Sequence, residues 1–175
     1  VVVGGVWGGG GAARVWVSGW VVQVFDPDRE EERKCGEVIA KGRVSLPGLS
    51  DTALPPEGAL SFHETMSEAV AGASWIQESV PERLELKRKV YQTLQEHCDT
   101  EAILGSSTSG FKPSELQGCA TRPEQIVVTH PFNPVYLMPL VDLVPTEKNA
   151  TGVIERDKET PKDLGSLTLK GRQAK

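Results

Sequence analysis

The chain opens VVVGGVWGGGGAAR, with six glycines within the eight residues from Gly4 to Gly11, and an acid, Asp26, closes the apolar run VVQVF further on. Residues of these types in this order suit one task, the binding of a dinucleotide. In a GxGxxG turn between a strand and a helix, the first glycine makes the tight bend. The second lets the backbone approach a pyrophosphate, and the third lets helix and strand pack closely. The pyrophosphate rests on the helix N-terminus, where free N–H groups and the helix dipole attract negative charge. An acid at the end of the second strand takes the ribose hydroxyls. With no arginine beside it directed at a 2′-phosphate, that acid favours NAD over NADP.

Two registers fit the glycines. In one, Val3 stands at the first glycine position and Gly5 and Gly8 are the second and third. In the other, Gly8, Gly10 and Ala13 make GxGxxA. Asp26 lies 23 residues after Val3 but only 18 after Gly8, which favours the first register. Gly5, Val6, Trp7 and Gly8 are then the cofactor-contacting turn, with Asp26 as the ribose acid. This register leaves a β-branched Val3 where a glycine would tolerate positive φ. It also puts Gly9, Gly10 and Gly11 in the first helical turn, where each costs up to about 1 kcal/mol relative to Ala. NAD binding is expected to be weaker than through an intact loop, and Val3→Gly is expected to tighten it.

The elements that must position these residues follow from the apolar pattern. Short runs at Val1–Val3, Val21–Phe25, Leu60–Phe62, Trp75–Gln77, Ala102–Leu104, Ile126–Thr129 and Leu140–Val144 predict strands. Between them, helices are predicted over Ala12–Ser18, Asp28–Arg43, Thr65–Ala71 and Glu82–His97. Thr65 and Glu68 have capping-box spacing. In the last helix Leu86, Val90 and Leu94 repeat every four residues with Tyr91 beside them. Leu46–Gly58 carries Pro47, Pro55 and Pro56 and reads as loop or broken helix. Strands alternating with helices imply βαβ units. The expected class is therefore α/β, a Rossmann-type doubly wound, mostly parallel sheet with helices on both faces. It spans residues 1–155, and 156–175 form a terminal element or tail.

Bulk properties narrow the function classes. The 175 residues are 38% hydrophobic and 25% charged, with a net charge of −5. There is no basic block, so no nucleic acid or anionic membrane partner is expected. No apolar run approaches the ~20 residues of a membrane span, and the start lacks a signal-peptide layout. Cys35, Cys98 and Cys119 are odd in number, far apart and outside any zinc-like spacing. Reduced thiols in a cytoplasmic protein, with no metal, are the expectation.

Three later stretches are more specific: IQESVPERLELK (Ile76–Lys87), SSTSG (Ser106–Gly110) and HPFNPVYLMPLVDLV (His130–Val144). In this order behind the glycine turn, they resemble the 3-hydroxyacyl-CoA dehydrogenase superfamily, and within it the members that act on L-carnitine. The resemblance implies NAD-dependent oxidation of a secondary alcohol, which needs a base for the hydroxyl proton. It makes His130 the catalytic acid/base and Asp142, twelve residues on, the acid that orients the imidazole and stabilises its charged form. The family has Glu at that position, and Asp reaches one methylene less. It matches Ser109 to the serine that hydrogen-bonds the substrate oxygen and Asn133 to a residue near nicotinamide and substrate. Ser107 falls near the nicotinamide ribose, and Glu82 and Lys87 match a cofactor-contacting pair. Glu78, ending a strand, is a further candidate. His63 and His97 read as ordinary loop and helix residues.

The same resemblance implies a second, helical domain that supplies another catalytic residue, much of the pocket and a homodimer interface. Six residues follow Leu169, so that domain is expected to be absent and the isolated chain to be poorly active or inactive. The implied partner is a small 3-hydroxy acid, most directly L-carnitine. Alternatives are a 3-hydroxybutyryl-CoA dehydrogenase, which would want basic residues for the CoA phosphates, a gulonate-type relative similar to lambda-crystallin, and a non-catalytic NAD-binding module. Arg29, Arg33, Lys34, Lys41 and Arg43 are the basic candidates, but interleaved Glu30, Glu31, Glu32 and Glu37 make a solvated face the better reading.

Overall fold

The computed structural model describes residues 2–3, 5–49, 53–132, 140–149 and 167–170. Strand β1 (Val2–Val3) is separated by one residue from helix α1 (Gly5–Val17). The helix thus takes in the glycines rather than starting at Ala12. Glycine lowers helix stability but does not forbid it. The packing of Ala12 and Ala13 against Val22, Val24, Cys35 and Ile39 offsets that cost. Val22 and Val24 belong to β2 (Val22–Phe25), and Cys35 and Ile39 to α2 (Arg29–Ser45). Asp28 caps α2, its side chain accepting from the Glu30 N–H at 2.9 Å.

A 3-10 turn at Leu46–Leu49 begins the proline-rich segment. Further on, the Trp16 indole donates to the Gly58 carbonyl at 2.8 Å, and the Gly58 N–H donates to the Trp16 carbonyl at 3.0 Å. Gly58 is needed here, because a Cβ would lie 2.5 Å from the Trp20 carbonyl carbon. There follow β3 (Leu60–Phe62), α3 (Met66–Val70), β4 (Trp75–Glu78) and α4 (Leu84–His97). The Thr65 hydroxyl accepts from the Glu68 N–H at 3.3 Å, the half of the capping box that closes the first turn of α3. Helix α4 starts two residues later than its periodicity predicts, because Arg83 is extended at the N-cap position. Glu82 therefore precedes the helix.

The remaining elements are β5 (Ile103–Ser106), α5 (Pro113–Leu116), β6 (Ile126–Pro131), β7 (Leu140–Val144) and β8 (Leu167–Lys170). Helix α5 and the 3-10 turns at 117–119 and 123–125 have no strong periodic signal and were not expected from the sequence. The sheet order is β3-β2-β1-β4-β5-β6-β7-β8. All neighbours are parallel except β6 and β7, which are antiparallel. The chain reverses its direction across the sheet between β1 and β4, which is the topological switch point of a doubly wound fold.

Helices cover both faces. On one, α1 and α2 pack on Val22 and Val24. On the other, α3, α4 and α5 bury Val70, Val90, Tyr91, Leu94 and Leu116 against Ile76, Leu104, Ile126 and Val128. Trp75, Ile103, Val127 and Leu143 form a third apolar group. The pleat turns successive side chains to opposite faces, so Ile76 and Glu78 share the α4 face while Trp75 and Gln77 point away from it. Among the described residues, no helix is long and apolar enough to cross a membrane.

Candidate active site

In a doubly wound sheet, ligands bind beyond the carboxyl ends of the strands at the switch point. Here that crevice lies beyond β1 and β4. Val3 ends β1 in register with Phe25 on one side and Glu78 on the other. The strand-to-helix transition falls between Val3 and Gly5, as the first register of the glycines requires, whereas α1 runs through Gly8 and Gly10. The first turn of α1 carries no acid, so nothing there opposes an anion at its free N–H groups. Asp26 follows β2 directly, and one of its carboxylate oxygens accepts from the Asp28 N–H at 2.9 Å. These features fit a dinucleotide: bare amides for the pyrophosphate and a carboxylate one strand away for a ribose.

Among the described residues no non-glycine residue has positive φ. Val3 is part of a strand, and extended backbone suits its β-branched type. Relief of an unfavourable φ is therefore not available to Val3→Gly. What remains is the exchange of a β-branched residue for glycine, expected to lower the NADH dissociation constant by no more than about fivefold in a fluorescence titration, or about 1 kcal/mol.

The sequence between β4 and α5 builds a buried polar core. Glu78 is fully buried, and four donors reach its carboxylate. Oε1 accepts from Lys87 Nζ at 2.8 Å and from the Val80 N–H at 2.7 Å. Oε2 accepts from the Tyr91 hydroxyl at 2.6 Å and the Ser106 hydroxyl at 2.8 Å. Lys87 is 1% exposed, and its ammonium also donates to the Val80 carbonyl at 3.0 Å and meets Glu82 Oε2 at 3.3 Å. Its three protons thus have three acceptors within the protein. A buried charge needs such partners to survive.

Glu82 carries the network outward. Its Oε1 accepts from the Thr108 hydroxyl and, at 2.9 Å, from the Gly110 N–H. Partial burial alone would raise the Glu82 pKa. The hydrogen bonds from Thr108 and Gly110, with the Lys87 charge, outweigh it and hold the carboxyl below its usual value. Ser106 Oγ accepts from the Thr108 N–H at 3.3 Å, so the turn after β5 is gripped from both sides. Ser109 stands exposed at its tip.

Ser107 is half-buried and faces other partners: its N–H donates to the Glu78 carbonyl at 2.8 Å, and its hydroxyl lies 2.8 Å from that of Ser79. Near the end of β6, His130 stands directly opposite Asp142 of β7 in the antiparallel register. Opposed residues of such strands place their side chains on one face, with Cβ atoms about 4.5–5.5 Å apart. No hydrogen bond joins these two side chains. The His130 ring instead meets Phe132 edge-on, with centroids 5.5 Å apart and planes at 70°. Asn133 lies outside the described residues.

Glu82, Lys87 and Glu78 stand out in the sequence, whereas their partners Tyr91, Ser106 and Thr108 do not. One signal was available. Lys87 and Tyr91 are four residues apart on the apolar face of α4, and a lysine there must have a buried partner. Burial first, then the Glu78 charge and hydrogen bond, push the Tyr91 hydroxyl well above the usual tyrosine range. The native state thus keeps this proton at a pH where an unfolded tyrosine would lose it. The contribution to stability is full below about pH 10 and is lost as the pH rises further. Tyr91→Phe leaves Glu78 short of one donor. It should cost about 1–3 kcal/mol in urea unfolding at neutral pH and flatten the fall in stability above pH ~10.

The family described as the 3-hydroxyacyl-CoA dehydrogenase NAD binding domain matches residues 1–173. A bifunctional L-carnitine dehydrogenase/betainyl-CoA thioesterase of Ruegeria pomeroyi is 65% identical over 173 residues, covering 99% of this chain and 36% of that protein. The L-carnitine dehydrogenase of Mesorhizobium japonicum is 47% identical over 93% of this chain and 45% of its own length. This chain therefore spans between a third and a half of the length of these relatives. Among solved structures, a 3-hydroxybutyryl-CoA dehydrogenase of Escherichia coli superposes with a TM-score of 0.84 at 25% identity, covering 97% of this chain and 37% of that one. An NAD-dependent dehydrogenase of a pyridine carboxylic acid superposes with a TM-score of 0.91 at 27% identity, covering 98% and 56%.

Proposed function

Because this chain belongs to the 3-hydroxyacyl-CoA dehydrogenase family through its NAD-binding domain, we propose that the protein carrying it oxidises the 3-hydroxyl of a small 3-hydroxy acid, L-carnitine first, to the ketone. NAD, when bound, supplies the hydride acceptor. The N–H groups at the start of α1, in the turn Gly5, Val6, Trp7 and Gly8, hold its pyrophosphate, and Asp26 holds a ribose. Ser107 lines the nicotinamide end. Ser109 donates a hydrogen bond to the substrate oxygen, and His130 takes the hydroxyl proton. Asp142 stabilises the resulting imidazolium from across the strand pair, and Asn133 completes the substrate contacts. The protein carrying the chain acts as a homodimer.

The pairing of His130 with Asp142 near the carboxyl end of β6 is the observation that carries this reading. It puts an imidazole and a carboxylate at opposed positions of two strands, the first of which neighbours the strand ending in the serine turn. A lone structural histidine needs no such partner.

A 3-hydroxyacyl-CoA substrate would need free cations for the CoA phosphates. Arg33 is instead paired with Glu30 and Glu37, and Arg43 with Glu57 at 2.6 Å while its guanidinium lies over the Trp16 ring. Exposed pairs add little stability, but Glu30 and Glu37 oppose the charge of Arg33, and Glu57 that of Arg43. NADH formation followed with L-carnitine and with 3-hydroxybutyryl-CoA separates the substrates. L-Carnitine is expected to lead in kcat/KM by at least about tenfold. The reverse order would transfer the reading to CoA thioesters, and no turnover with either, despite NADH binding, would leave the non-catalytic module.

A further inference from the structure

Gln77 has no place in the chemistry above, yet its side chain joins β4 and β6 to the turn after β5. Its Nε2 donates to the Ser107 hydroxyl at 2.8 Å and to the Thr129 carbonyl at 3.2 Å. Its Oε1 accepts from the Thr129 hydroxyl at 3.0 Å and from the Trp75 indole N–H at 3.3 Å. The orientation of the amide is fixed by these partners, since a carbonyl requires a donor and an indole N–H an acceptor. All four hydrogen-bonding positions of the amide are used. The side chain crosses β5 above Gly105, where a Cβ would lie 2.7 Å from Gln77 Oε1 and in collision with the Thr129 hydroxyl. The missing side chain at Gly105 is what lets the crossing exist.

The two ends of this crossbeam are functional in the reading above. One end is Ser107, in the turn that presents Ser109. The other is Thr129, the residue before His130. The pleat puts the His130 ring on the opposite face from Gln77, so Gln77 holds the strand and never meets the substrate. Resting on the proposed dehydrogenase reading, we propose that Gln77 is a positioning residue that sets the separation between the Ser107–Gly110 turn and His130. A hydroxyl held between Ser109 and His130 must lie within hydrogen-bond reach of both, and a shift of about 1 Å in such a pair costs on the order of 10²-fold in rate.

The test compares Gln77→Met, which removes all four bonds, with Gln77→Glu, whose neutral form keeps a donor and whose carboxylate keeps none. In the isolated chain, amide hydrogen exchange at Ser107 to Gly110 and at His130 should accelerate about tenfold in Gln77→Met, while Leu104 and Ile76 exchange as before. In Gln77→Glu the same acceleration should appear only as the pH rises through the titration of the new carboxyl. In the protein that carries the chain, kcat should fall about 10- to 100-fold with the NADH dissociation constant within about threefold. Acceleration that is uniform over the sheet, or none at the turn and His130, would overturn the proposal, as would an unchanged kcat. If Gln77→Met does not fold, the pH dependence of Gln77→Glu decides by itself. Failure of the unsubstituted chain to bind NADH would overturn the dehydrogenase reading instead, and the exchange comparison would still decide whether Gln77 couples turn and strand.

Discussion

His130→Gln is expected to lower kcat about 10²–10⁴-fold in the protein that carries this chain, with NADH affinity changed by less than about twofold. Gln matches imidazole in reach and in hydrogen bonding but cannot accept and hold a proton near neutral pH. The lost rate is therefore the share of the barrier that proton removal supplies. The fold should tolerate the change, because His130 is only half-buried and the described contact of its ring is the edge-on meeting with Phe132. Steady-state kinetics with a parallel NADH titration separates the two effects. Asp142→Asn should act in the same direction and more weakly, since no hydrogen bond ties Asp142 to the ring in this structure and its charge acts across the strand pair. Equal losses of rate and NADH affinity in His130→Gln would mean that the residue supports the nucleotide site rather than the proton transfer.

The largest expected effect on stability is at Lys87. Lys87→Met removes the ammonium and leaves the Glu78 carboxylate, fully buried, with no countercharge. Breaking one partner from a buried pair costs about 3–5 kcal/mol, which in a domain of this size is roughly 6–20 °C in Tm. The double variant Glu78→Gln/Lys87→Met removes both charges and should regain most of that loss, because replacing a buried pair by neutral groups of similar volume is often close to neutral. Urea unfolding of the four proteins gives the coupling directly. A cofactor role for Lys87 makes a different prediction. A lysine that mainly touches NAD would leave the stability of the free protein nearly unchanged when replaced. Its three internal acceptors argue for the structural effect.

The strands were legible because short apolar runs bounded by turn residues report burial on both faces of a parallel sheet. Leu140–Val144 agrees at both ends, and so does Leu60–Phe62, although that edge strand is half-buried to exposed and only its apolar ends mark it. The start of α1 was not legible. A string of glycines reads as loop by propensity, and only the packing of Ala12 and Ala13 between β2 and α2 shows why the helix persists through it. Helix α5 was missed because four residues, begun by Pro113, carry no periodicity.

At the site, the residue types of His130, Asp142 and the serine turn could be picked out, but their register could not. It is set by the antiparallel return of β7, a feature no local pattern encodes. The grip of Glu82 on Thr108 and Gly110, and that of Gln77 on Ser107 and Thr129, span 26 to 52 residues of sequence. Only the fold brings such pairs together.

The most direct test of the account is a fluorescence titration of this chain with NADH. Saturable binding, weakened about tenfold or more by Asp26→Ala, is the predicted result. A signal that does not saturate would contradict it, because then neither the opening of α1 nor Asp26 would form the nucleotide site on which every later step depends.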